Sequence, residues 1–126
     1  MTGAYLIDTH ALLWAAHDTA RLGHAAKGVL ADPENRVYAS IASLWELAIK
    51  ASIGKLEIPE DFFQRVYASG YLKLPIEVEH LDQFRKLPLH HRDPFDRLLL
   101  AQAQAERLRI ISDDGMFSRY AADVIW

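Results

Sequence analysis

Short apolar runs alternate along this chain with longer stretches of helical periodicity, and that alternation leaves few folds open. Ala4 to Ile7 is apolar, stops at Asp8-Thr9 and continues as Ala11-Leu12-Leu13-Trp14. This reads as a buried strand feeding a helix, with Thr9 as a candidate N-cap. Leu22 to Leu30 reads as a second helix, stopped by Asp32-Pro33. Arg36 to Ala39 repeats the strand signature. The helix expected over Ser40 to Ile53 carries Ile41, Leu44, Trp45 and Ala48 on one face and stops at Gly54. Pro59 is expected to open a helix through Phe62, Phe63, Val66 and Tyr67. Leu72 to Ile76 reads as a short strand, Val78 to Leu87 as a helix, and Pro94 to about Arg107 as a strong helix. Arg109 to Ser112 reads as a strand, Asp113-Asp114-Gly115 as a turn, Met116 to Ala122 as a short helix and Val124 to Trp126 as a last strand. Strands alternating with helices imply an α/β sandwich of three layers, with a mainly parallel central sheet flanked by helices.

The 126 residues fit a single domain, residues 1–126. A domain of this size buries roughly two-thirds of its unfolded surface and folds without staples. The absence of cysteine excludes disulfides, thiolate zinc sites and cysteine nucleophiles together, and it fits a reducing cytoplasm. The opening residues carry no basic region and no long apolar run, so no signal peptide is expected. No apolar stretch approaches the roughly 20 residues of a membrane span. The net charge is −3. Proteins that hold nucleic acid by counterion release are usually basic, so any nucleic-acid role must rest on a local site.

The acids fall in suggestive places. Ligand sites in open α/β sheets lie beyond the carboxyl ends of strands. Asp8 follows the first strand, and Asp113 and Asp114 follow the Ile110-Ile111 strand. Asp96 sits in the first turn of a helix and Glu46 in the middle of one. If the first and fourth strands are neighbours, Asp8 and Asp114 meet at one end of the sheet. Crowded carboxylates repel one another and need a cation or protons. Oxygen ligands without sulfur or paired histidines suit Mg²⁺ or Mn²⁺. Such an ion activates water for attack on a phosphodiester.

Each acid also has a plainer reading. Asp8 suits the N-cap of the helix it precedes. Ser43-Leu44-Trp45-Glu46 matches a capping box, and Glu46 with Lys50 matches a helical ion pair. Asp93-Pro94-Phe95-Asp96 fits a cap, a proline at the first helical position and an acid in the first turn, which assigns Asp93 to the cap and leaves Asp96 free. Asp113-Asp114-Gly115 suits a turn. Of the six histidines no pair has the spacing of a helical zinc site. His90-His91-Arg92 reads either as a solvated loop or as a lip that contacts phosphate or base beside the acids. Lys50, Lys55, Arg97 and Arg119 are further candidates to face a phosphate backbone. Trp14, Trp45 and Trp126 sit in apolar patterns and are expected in the core.

Leu6-Ile7-Asp8-Thr9-His10-Ala11-Leu12-Leu13-Trp14 resembles the opening of PIN-domain proteins. Ser43-Leu44-Trp45-Glu46-Leu47-Ala48-Ile49-Lys50 resembles their second acidic motif. The segment from His90 to Ala103, with Asp93-Pro94-Phe95-Asp96-Arg97 at its heart, resembles the third in the form typical of VapC-type toxins. Ile111-Ser112-Asp113-Asp114-Gly115-Met116-Phe117 resembles the fourth, and Val124-Ile125-Trp126 the closing strand. The resemblance spans nearly the whole chain. It implies a PIN-like fold and a ribonuclease that uses Mg²⁺ or Mn²⁺ to cut RNA, of the tRNA or ribosomal RNA class. It implies a cognate small antitoxin that holds the enzyme inactive, and a homodimer. The matching acids are Asp8, Glu46, Asp96 and Asp114. Asp8, Asp96 and Asp114 would ligate the metal, with Glu46 acting through water. Asp114 stands three residues before Phe117, where the family places its acid; Asp113 is the second choice.

Two other enzyme classes share parts of this pattern. An aspartate-nucleophile phosphatase of the haloacid dehalogenase type also places Asp after the first strand, but needs a second Asp where this chain has His10. A phospho-receiver domain has similar length and layering, but needs an acidic pair near the first strand. A non-catalytic PIN-fold binding module, or a PIN nuclease with a non-toxin role, would keep the fold. A pure binding module has no use for the mutual repulsion of four acids.

Overall fold

In the computed structural model, residues 3–120 and 122–126 are described. Five strands form one sheet: β1 (Ala4–Ile7), β2 (Arg36–Ser40), β3 (Leu72–Leu74), β4 (Arg109–Ile111) and β5 (Val124–Ile125). Their order is β3-β2-β1-β4-β5 and every pairing is parallel. β1 lies at the centre, with Ile7 opposite Ala39 on one side and Ile111 on the other. The expected neighbourhood of the first and fourth strands is therefore present. The order also separates this fold from the receiver domain, whose sheet runs 2-1-3-4-5.

Among the described residues, six α-helices connect the strands: α1 (Thr9–His17), α2 (His24–Ala31), α3 (Ile41–Ser52), α4 (Phe62–Ala68), α5 (Val78–Lys86) and α6 (Pro94–Glu106). The strand residues alternate between two cores, as the two-residue period of a strand requires. Tyr5, Ile7, Val37, Ala39 and Ile111 pack on one face with Leu12, Leu47, Phe62 and Val66. Leu6 and Ile110 pack on the other with Leu99, Leu100, Ala103 and Phe117. Both faces of the sheet are covered, so these strands read as unbroken apolar runs. Among the described residues, no helix is long and apolar enough to cross a membrane.

Several boundaries differ from the sequence expectation, each for a local reason. Asp8, not Thr9, caps α1: its side chain accepts from the Ala11 N–H at 2.8 Å. Ser40, not Ser43, caps α3, accepting from the Ala42 N–H at 3.0 Å. Ser43 is buried and accepts instead from the Thr9 hydroxyl at 3.0 Å, which ties α3 to α1. Pro59 precedes α4, because its carbonyl closes a turn with the Phe62 N–H. β3 ends at Leu74, where Pro75 has no N–H to continue the ladder. The segment after the Asp113-Asp114 turn is a 3-10 helix over Gly115–Tyr120, and Ala121, at which the expected short helix continues, lies outside the described residues. Gly54 stops α3 as expected: at φ +76° it lets its own N–H reach Ala51 O and the Lys55 N–H reach Lys50 O.

One buried polar junction joins the helices that carry the acids. The Ser40 hydroxyl donates to Gln102 Oε1 at 2.5 Å, and Gln102 Nε2 donates to Pro75 O at 3.2 Å. His80, fully buried, accepts the Glu77 N–H on Nδ1 at 2.9 Å, so its Nε2 carries the proton toward Glu106 at 2.9 Å. The junction fixes the first residue before α3 against the middle of α6. Gln102→Leu would leave the Pro75 carbonyl and Ser40 hydroxyl short of partners in a closed core, which costs about 1–3 kcal/mol. Urea unfolding of this variant is expected to show a loss of that size, with the m-value unchanged.

Candidate active site

The chemistry-bearing side chains are set by where strands stop and helices start. Asp8 leaves the carboxyl end of β1 and is 4% exposed. One carboxylate oxygen caps α1 through the Ala11 N–H, and the other accepts from the Ser112 hydroxyl at the end of neighbouring β4. Burial pushes the Asp8 carboxyl up to about 6. The Ser112 and Ala11 hydrogen bonds and the His10 charge pull it back, and the charge of Asp96 pushes it further.

Glu46 projects from the middle of α3 and is 7% exposed. Its Oε2 lies 3.2 Å from Lys50 Nζ, the expected ion pair along the helix. Its Oε1 is buried and has no hydrogen-bond partner among the described residues. A lone carboxylate oxygen in that position is costly unless something else satisfies it. Asp96 lies in the first turn of α6, where Asp93 caps the helix through the Phe95 and Asp96 N–H groups at 2.8 and 3.3 Å. Burial raises the Asp96 carboxyl; His91, 2.7 Å away, opposes this, while the charges of Asp93 and Glu46 add to it. The charge of Asp96 therefore acts on Asp8, and that of Glu46 on Asp96, although the three come from different elements.

Asp114 joins them more loosely. Its N–H donates to Ser112 Oγ at 3.0 Å, so Ser112 links it to Asp8. Its carboxylate accepts the Met116 N–H at 2.9 Å and so closes its own turn. Asp113 beside it is exposed. Two sequence expectations fail around the site. Trp45 is not a core residue: it is 55% exposed and meets Phe95 edge-on at 5.0 Å, because the buried side of α3 is set by Leu44 and Leu47. Arg97 does not face outward as a phosphate contact. Its guanidinium lies over Phe84 at 4.6 Å and donates to Leu87 O at 3.4 Å. Ser112, Thr9 and Tyr120 carry no signal in a sequence pattern, since each gains its role only from a partner far along the chain.

The donors at this end of the sheet are carboxylate oxygens, one buried and unpartnered, with a second raised by burial. Such a set fits a hard divalent cation, which would satisfy the lone oxygen and offset the mutual repulsion. His91, Asp93 and Asp96 also place one potential ligand atom each within 4.8 Å of one another. A cavity of about 760 Å³ lies elsewhere, lined in part by Leu12, Leu30, Phe62 and Tyr71, and none of the four acids borders it.

The model of the PIN domain family matches residues 5–123, and the chain belongs to that family. No curated protein matches it significantly. Among solved structures it is similar to VapBC2 from Rickettsia felis bound to a promoter DNA fragment, at 14% identity and a TM-score of 0.73, covering 98% of each chain. FitAcB from Neisseria gonorrhoeae gives 17% identity and a TM-score of 0.67 over 100% of this chain and 97% of the other. A toxin-antitoxin complex from Klebsiella pneumoniae gives 19% identity and a TM-score of 0.65, over 97% and 96%. At these identities the likeness is one of fold.

The raised Asp8 pKa has a stability consequence with a definite sign. Its folded value of about 6 lies above the unfolded value of 3.8, so the native state holds the extra proton. The stabilisation this gives is full below pH 3.8 and is lost as pH rises through 6. In EDTA at pH 7.5, Asp8→Asn is therefore expected to be more stable than wild type, by up to about 3 kcal/mol, with the gap closing toward pH 4. Thermal melts across that range check the direction.

Proposed function

We propose that this protein is a metal-dependent endoribonuclease, the toxin of a toxin–antitoxin pair, acting in the cytoplasm. The observation that supports the reading is the electrostatic contact of Asp96 with both Asp8 and Glu46, acids of three different elements, beside a buried Glu46 Oε1 that has no hydrogen-bond partner among the described residues. Asp8, Asp96 and Asp114 would hold Mg²⁺ or Mn²⁺, with Glu46 acting through water and Asp113 as the alternative fourth acid. Such an ion would supply activation of water and neutralisation of charge on the scissile phosphate. Ser112 and the Ala11 N–H hold Asp8 in one rotamer. Asp93 and Pro94 fix the first turn of α6 and hence the place of Asp96. His10, where a haloacid dehalogenase-type phosphatase carries its acid, is an exposed residue of α1, which leaves that alternative without its proton donor.

The antitoxin partner rests on the family resemblance and on similar structures described as toxin-antitoxin systems. An antitoxin arginine is suited to enter the acidic cluster, because a guanidinium pairs well with carboxylates. Self-association as a dimer is supported by Trp45 and Ile49 of α3 and Ile53 at its C-cap, four residues apart and 55%, 38% and 60% exposed.

Cleavage of a structured RNA is expected with Mg²⁺ or Mn²⁺ and not with EDTA. Asp8→Asn and Asp96→Asn should lower it by about 10²-fold or more, since each removes a charge that holds the cation. Glu46→Gln should be milder. Cleavage that persists in EDTA, or in folded Asp8→Asn with metal present, would overturn the mechanism. Release of phosphate from a phosphomonoester with no cut in RNA would favour a phosphatase.

A further inference from the structure

We infer that His91 is a positioning residue for the divalent cation: it pins one oxygen of Asp96 so that the other is presented to the cluster shared with Asp8 and Glu46. This rests on the metal reading above and adds a residue to it. His91 Nε2 lies 2.7 Å from Asp96 Oδ2, a short charge-assisted contact. Among the described residues, Asp96 Oδ1 has no hydrogen-bond partner, although Asp96 is largely buried. A carboxylate held by one oxygen loses its freedom to rotate, so the remaining oxygen has one direction.

The backbone that carries the imidazole is itself held by a core residue. His91 lies in the loop before α6, where a side chain would ordinarily be mobile. The Tyr120 hydroxyl accepts the backbone N–H of both His90 and His91, at 3.0 and 2.8 Å. The His90 ring packs edge-on against Tyr120 at 5.1 Å, and Tyr120 is buried in the second core. At its other end the segment is clamped by the Asp93 cap and Pro94. Thus a chain of contacts runs from the core through Tyr120 and His91 to Asp96. Outer partners of this kind fix the orientation of a ligand and typically set 10–100-fold in metal affinity.

Direct ligation by His91 is the competing arrangement, since His91, Asp93 and Asp96 lie together. Asp93 Oδ1 already accepts two N–H groups of α6. The two arrangements also make opposite demands on His91 Nε2: as a positioning group it carries a proton toward Asp96, and as a ligand it must offer a lone pair.

The test measures Mn²⁺ binding without RNA, by calorimetry and by electron paramagnetic resonance, on the full chain. Wild type is expected to bind and Asp8→Asn to bind far more weakly. His91→Ala should weaken binding by about 10-fold or more. His91→Gln, which keeps an N–H donor of similar reach, should restore most of it. Tyr120→Phe, which leaves His91 intact but frees its loop, should weaken binding in the same direction. Melts in EDTA identify any variant whose fold has changed. A folded His91→Ala that binds Mn²⁺ as tightly as wild type, or more tightly, would overturn the inference while leaving the metal reading standing. So would a histidine nitrogen coupled directly to bound Mn²⁺. A wild type that binds no Mn²⁺ would overturn the metal reading, and the inference with it.

Discussion

The parallel pairing of β1 with β2 on one side and β4 on the other is the constraint on which the rest depends. A strand in that position has both faces and both edges covered, so its apolar run has only one place to go. Its carboxyl end then has a fixed location, and Asp8 is the first residue beyond it. Ser112 stands at the equivalent point of β4, which is why a hydroxyl and a carboxylate 104 residues apart meet. The right-handed crossover preferred by parallel strands brings α3 and α6 back over the sheet. The Ser40–Gln102 hydrogen bond then sets one against the other.

Most of the fold was legible because strands and helices announce themselves by period, and this chain keeps the two apart. Where the reading failed, the information was not local. Ser43 fitted a capping box by spacing, but Thr9 from another helix claims its hydroxyl. Trp45 fitted the apolar face of α3, yet a residue at the margin of such a face is buried only if something packs on it, and Phe95 covers one edge alone. Arg97 read as a surface cation because sequence cannot show a phenylalanine beneath it. At the site, the positions of Asp8, Glu46 and Asp96 followed from strand ends and helix starts. The unpartnered oxygen of Glu46 and the tether of His91 to Tyr120 did not, since both depend on tertiary approach.

The buried acids set stability against chemistry. Grouping carboxylates where water is scarce raises the energy of their charged forms, and nothing in the core relieves it. The compensation comes from around them: two caps, a serine hydroxyl, a lysine on the next turn and an imidazole. Each contact fixes a rotamer as well as offsetting charge, so the cluster is rigid before any ligand arrives. Under the proposed reading, side chains held in this way would not have to be ordered at the expense of binding free energy.

The exposure of Trp45 has an optical consequence. The chain has three indoles. Trp14 is half-buried, with the Arg21 guanidinium over it at 4.5 Å and Trp126 edge-on at 5.6 Å. Trp45 stands apart from that pair, mostly in solvent and one residue from Glu46. Its fluorescence reports on the rim of the acidic cluster, while the other two report on the packing of α1. The protein thus carries two separate tryptophan environments without an added label, one exposed beside Phe95 and one within the packing of α1.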